Sequence, residues 1–176
     1  MLKGAPRAAN VLQRVADMAG YTKKRDGRAV GIAYSDALRS HTAVAAEVSV
    51  DTKSGEITVH HLWAAVDAGT AVQPKNIVAQ MTSAMTFGLG AALKEQIAIK
   101  GGVMQASNFD GYPVLRMSEV PPMDVGRGLH RKPADRHRRS GRPGGRAGHR
   151  QRGGATHRQA APSSAMTPDR VKQSLG

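Results

Sequence analysis

Thr42–Leu93 reads TAVAAEVSVDTKSGEITVHHLWAAVDAGTAVQPKNIVAQMTSAMTFGLGAAL, and its three parts decide the fold. Thr42–Val50 is rich in small and β-branched residues and predicts a strand. Asp51-Thr52-Lys53-Ser54-Gly55 is a turn. Glu56–Trp63 predicts a second strand, so the two form a hairpin. Asp67-Ala68-Gly69 breaks the pattern. Pro74–Leu93 then predicts a helix, with Ile77, Met81, Met85 and Leu89 at helical spacing and Pro74 in the first turn. Gly88 and Gly90 inside this helix cost about 1 kcal/mol each relative to Ala, and are expected to mark close packing against a backbone or ligand.

Working outward, Ala5–Ala19 predicts a helix, with Val11, Leu12, Val15 and Met18 on one side and Gly20 as its C-terminal cap. Lys23–Gly27 is a charged connector, and Ala29–Leu38 a strand. Downstream, Ile97–Lys100 and Val103–Gln105 flank Gly101-Gly102 as a small hairpin. Asn108–Pro113 is loop-like. The expected fold class is α+β, with antiparallel strands and two helices. The sequence shows no internal repeat.

Charge divides the chain. Through Val125 there are 13 Lys+Arg and 11 Asp+Glu; from Gly126 to Gly176 there are 13 and 2. All six aromatics precede Val125. The expected organisation is a folded part over 1–125 and an Arg/Gly-rich tail over 126–176, too poor in apolar residues to offset its ordering entropy and so expected to be disordered. The absence of Cys excludes disulfides, thiol catalysis and iron–sulfur ligation by this chain. No apolar run approaches the about 20 residues of a membrane span. Compartment stays open.

Few residues offer chemistry by themselves. His60 and His61 are neighbours on a strand and point to opposite faces, so they cannot share a metal. Asp67 before a Gly turn reads as a turn cap. The methionines of the second helix read as core. Gln80 stands out: a long amide with the small residues Ser83, Ala84 and Gly88 one face away can hydrogen-bond a ligand approaching the backbone, or be an exposed helix glutamine.

The stretches AVAAEVSVDTKSGEITVHHLWAAVDAGTAVQPKNIVAQMTSAMTFGLGAAL and GGVMQASNFDGYPVLRMSEVP resemble the C-terminal region of the molybdenum-cofactor-binding (beta) subunit of isoquinoline 1-oxidoreductase, in the xanthine dehydrogenase/aldehyde oxidase family. The segments NFDGYPVLRM and AVQPKNIVAQM are the specific ones, and the likeness covers about Leu2 to Val125. It implies a partial molybdopterin-binding domain from an oxidoreductase that hydroxylates N-heterocycles or aldehydes with water-derived oxygen. A molybdenum-bearing molybdopterin dinucleotide carries that reaction, and a small iron–sulfur subunit takes the electrons. By the same likeness Gln80 lies against the pterin, with Ser83 and Ala84 beside it where the family often has Gly. A complete subunit is several times longer. Met1 is then an internal methionine, most cofactor and substrate contacts lie upstream, and this fragment is expected neither to retain the cofactor nor to be active alone.

In that family, sequence like EVPPMDV leads into a hydrophobic strand, a Gly-x-Gly-Glu loop bearing the catalytic base, a PAIANA-like helix and a TGKRLR-like end. Here Arg-rich sequence replaces all of it. A one-base slip in reading accounts for the replacement. Read one base later, Asp135–Arg139 can encode Thr-Gly-Ile-Gly-Glu, Ala147–Arg152 can encode Pro-Ala-Ile-Ala-Asn-Ala, and Thr156–Pro162 can encode Leu-Thr-Gly-Lys-Arg-Leu-Arg. Met166-Thr167 must contain TGA in that frame, a stop where the family's chain ends. The catalytic glutamate would lie under Arg139, so the chain as translated has no catalytic residue of that kind. The competing readings are a small basic protein binding nucleic acid non-specifically through its Arg-rich tail, and an interaction module using the α+β part alone. Incidental nucleic-acid binding is compatible with the first reading too.

Overall fold

A computed structural model describes residues 5–37, 39–106, 108–127 and 166–175. Helix α1 spans Pro6–Ala19, with Pro at its first turn, and stops at Gly20, whose φ of 56° is cheap only for glycine. Ala8, Val11, Val15 and Ala19 recur at helical spacing and are buried. Val11, Val15 and Ala19 pack on Ala43, Ala45 and Ala65 of the sheet, flanked by Val30, Ile32 and Trp63. The alanines on the strands let the helix come close.

That sheet has the order β1-β2-β3-β6, with β1 at Ala29–Ala37, β2 at Ser40–Val50, β3 at Ile57–Asp67 and β6 at Met123–Arg127. β1 and β2 pair antiparallel, Ala33 opposite Val44. β2 and β3 pair antiparallel, Ala45 opposite Trp63, with an irregularity at Glu47/Val48. β6 pairs parallel to β3, Leu62 with Met123. The expected antiparallel strands are the two hairpins; β6, a strand the sequence reading did not identify, adds one parallel neighbour. A parallel neighbour needs a crossover, and the long β3–β6 connection supplies it.

That connection carries α2, Pro74–Leu93, with the expected bounds, and the antiparallel pair β4 (Ile99–Lys100) and β5 (Val103–Met104). α2 lies on the face opposite α1. Its Met85 and Leu89 pack on Leu62 and Ala64, with Val44, Ala46, Met123 and Val125 around them. The period-two alternation of β2 and β3 thus feeds two helices, one on each face. Short 3-10 turns at Phe109–Gly111 and Met117–Glu119 lead to β6.

Two expectations about the chain's end meet the structure. β6 continues through Arg127, past the expected limit at Val125. Within the stretch expected to be disordered, Pro168–Leu175 forms an amphipathic helix, α3, whose Val171 is buried. The rest of that stretch, 128–165, lies outside the described residues, as does Arg139.

Candidate functional site

The loop that feeds α2 is anchored before the helix begins. Asp67 ends β3, is 2% exposed, and accepts a bidentate pair from Arg7 of α1, Nε to Oδ2 and Nη2 to Oδ1, both at 2.8 Å. Its Oδ1 also accepts from the Gly69 N–H at 3.0 Å, the turn cap read from the sequence. Arg7 Nη2 reaches the Asp67 carbonyl at 3.2 Å as well. The carboxylate holds the Arg7 pKa above its ordinary value, through the hydrogen bond first and the charge second. Asp67 is thus structural: it fixes where the loop to α2 departs from the sheet. Its partner lies 60 residues away, which no local pattern could reveal.

From that anchor, α2 runs beside the sheet and leaves a cleft in two parts. One, of about 360 Å³, lies between Ser40, Thr42, Val66 and Ala68 of the sheet side and Asn76, Ile77, Gln80 and Met81 of the helix. The other, of about 530 Å³, is lined by Ser35, Thr42, Val44 and Leu62 and by Met81, Ala84, Gly88 and Ala92. They adjoin at Thr42 and Met81. Gln80, Ser83 and Ala84 are all exposed on α2. Gln80 lines the first part and Ala84 the second; Ser83 lines neither.

A Cβ on Gly88 would meet nothing within 4 Å, whereas one on Gly90 would come 2.7 Å from Glu95 Oε1. Gly90 is closely packed, but against the side chains of Glu95 and Leu115 and not against the backbone or ligand expected. Gly88 instead opens the cleft. The described lining of both parts contains no ionisable side chain, only amides, hydroxyls and apolar groups. Such a surface can bind the polar edge of a ligand but supplies no general base.

On the α1 face a second polar cluster has a structural role. Glu47, 8% exposed, pairs with Arg25 at 2.9 Å and Arg28 at 3.7 Å. Arg25 lies over the Trp63 ring. His61 stacks on Trp63 with centroids 4.3 Å apart and pairs with Asp124 at 2.9 Å, tying β6 to β3. His60 turns the other way, to Ser49 at 2.8 Å, as the strand alternation predicts. Among the described residues no three His, Cys, Asp or Glu side chains gather into a metal site, and no helix is long and apolar enough to cross a membrane.

The fold is thus an α+β domain, a sheet with a helix on each face and an amide-bearing cleft along one of them. Residues 9–121 match the molybdopterin cofactor-binding domain, and the chain belongs to that family. It is 38% identical over 128 residues to the isoquinoline 1-oxidoreductase subunit beta of Brevundimonas diminuta, covering 70% of this chain and 16% of that protein. It is 36% identical over 81 residues to the aldehyde oxidoreductase molybdenum-binding subunit of Escherichia coli K12, covering 45% of this chain and 11% of that one. Among solved structures it is similar to quinoline 2-oxidoreductase from Pseudomonas putida 86, at 20% identity and a TM-score of 0.48, over 50% of this chain and 11% of that one. CO dehydrogenase from Oligotropha carboxidovorans gives 19% identity and the same TM-score and coverage. The chain thus spans about a sixth of the first of these relatives.

Proposed function

We propose that this chain is a portion of the cofactor-binding subunit of a molybdenum hydroxylase, resembling isoquinoline 1-oxidoreductase, and that it does not hydroxylate substrates as translated. The observation that carries the reading is the 38% identity over 128 residues, together with a family match over residues 9–121 that includes α2 and its cleft. In the parent enzyme the molybdopterin dinucleotide supplies oxygen insertion next to a ring nitrogen or a carbonyl, with electrons passing to an iron–sulfur subunit.

The residues present fit a pterin edge at one side only. Gln80 is exposed on the cleft and has both an amide donor and an acceptor to offer. Ala84 and the open Gly88 leave room for a flat ring system against α2. Ser83 is one turn from Gln80 on the helix, outside the lining, where its hydroxyl can assist only from the rim. These residues bind and orient; none of them can accept a proton at neutral pH. The fragment offers one wall of the site, so it is not expected to retain the cofactor alone.

The base is absent because the reading frame slips near Val125. The family match ends at residue 121, just before the composition changes. The ordered set of shifted-frame motifs, with Glu under Arg139 and a stop at Met166-Thr167, follows that point. The reading is tested by supplying the purified chain with molybdenum cofactor, an N-heterocycle and an artificial electron acceptor. No hydroxylated product is expected. Catalytic turnover by this chain would overturn it.

A further inference from the structure

The end of the chain is seated on the domain at three places. Met166 donates its N–H to the Ala92 carbonyl at 2.7 Å. Ala92 is in the last turn of α2, where carbonyls lack a partner within the helix. Pro168 and Lys172 of α3 press on Gly55 in the β2–β3 turn. A Cβ on Gly55 would overlap the Pro168 carbonyl and lie 2.8 Å from Lys172 Cγ, so the turn meets α3 backbone to backbone. Val171, on the inner side of α3, is 7% exposed, while Asp169, Arg170 and Gln173 face out. The Lys172 ammonium lies near enough to Asp51 to contribute to that carboxyl's lowered pKa, after the hydrogen bonds from Ser54 and Lys53.

We propose that residues 166–175 form a C-terminal latch that caps α2 and clamps the β2–β3 turn, joining two elements of the domain otherwise far apart in sequence. The latch site is a helix-docking surface: a glycine that admits a helix backbone, a carboxylate opposite a lysine, and an open helix end for one N–H. The proposal does not depend on the frame reading, but the two intersect. Thr167 is the residue at which the shifted frame stops, so α3 is encoded entirely beyond it. The latch is therefore peculiar to the chain in its present frame.

The test is amide hydrogen exchange on the full chain, comparing it with Val171→Asp, Met166→Pro and, as control, Gln173→Ala. Met166→Pro removes the capping donor without touching Val171. Trp63 fluorescence on denaturation reports whether the sheet remains folded. In the parent chain, 168–175 is expected to be protected. Both disruptive variants should raise exchange in 168–175 and in the 51–56 turn by about tenfold, with the Trp63 transition still cooperative; the control should change neither. Three results would overturn the latch: no protection of 168–175 in the parent chain, loss of protection confined to 168–175 while 51–56 stays unchanged, or equal exchange in all four proteins.

Discussion

Replacing Val15 by Ala tests how the sheet and α1 are held together. Val15 is 0% exposed and points at Ala43, Ala45 and Ala65, three residues with no side chain to extend into a void. Two carbons are lost, at about 0.8 kcal/mol each by transfer. The cavity left against a rigid, alanine-floored sheet adds about 1 kcal/mol, because the surroundings relax little. The expected cost is about 2.5 kcal/mol, read as a fall in the urea midpoint of about 1–2 M with the slope unchanged. Val72→Ala is the control: Val72 is 92% exposed, and its loss should cost less than about 0.5 kcal/mol. The assay is equilibrium unfolding followed by Trp63 fluorescence, since Trp63 packs on the same face. If Val15→Ala matched Val72→Ala, α1 would not be docked on the sheet as described, and the reasoning would fail.

Glu47→Gln should cost about 2 kcal/mol in the same assay, because Arg25 loses a partner in a mostly enclosed place over Trp63. A cost within measurement error would show that the pair is solvated. Glu119 has a lowered pKa, from the Lys94 hydrogen bond first and the Arg116 N–H next. A lowered carboxyl stabilises the fold above its unfolded pKa and loses that contribution as pH falls through the folded value, so Glu119→Gln should lower stability at neutral pH, flatten the acid limb below about pH 4.5 and converge with the parent chain at the acid end. Tyr112 has a raised pKa, caused first by its hydrogen bond to Glu95. Its contribution is whole below the unfolded value near 10.0 and declines as pH rises through the folded one, so Tyr112→Phe should remove that part of the alkaline loss. An unchanged alkaline limb in Tyr112→Phe would count against the Glu95 contact.

Local patterning made α2 legible over its whole length, because a proline start and apolar residues at helical spacing lie in one uninterrupted run. It placed the β2–β3 hairpin and the opposite faces of His60 and His61 for the same reason. It ended β3 at Trp63, four residues early. Ala64 and Ala65 are weak strand formers in isolation, and they are strand because helices cover both faces of the sheet. β6 was not legible as a parallel partner. It is five residues long, contains Gly126, and takes its place from pairing with β3 far upstream. The Arg7–Asp67 pair is invisible for the same reason. Gln80 could be picked out as a long amide beside small residues on an apolar helix; the cleft it lines lies between α2 and residues of β2 and β3, an arrangement that only packing determines. α3 escaped a reading based on composition, since eight amphipathic residues are diluted by the Arg-rich stretch before them.

In the proposed reading, a molybdopterin-binding domain here continues in the wrong frame. The most direct measurement is to resequence the genomic DNA from several hundred bases before the Met1 codon to beyond the Thr167 codon. The account predicts a base gained or lost near the Val125 codon, an open frame upstream, and a Glu codon overlapping that of Arg139 in the restored frame. An upstream region closed to translation, with a shifted frame that lacks the Gly-x-Gly-Glu motif once the true codons are known, would contradict it.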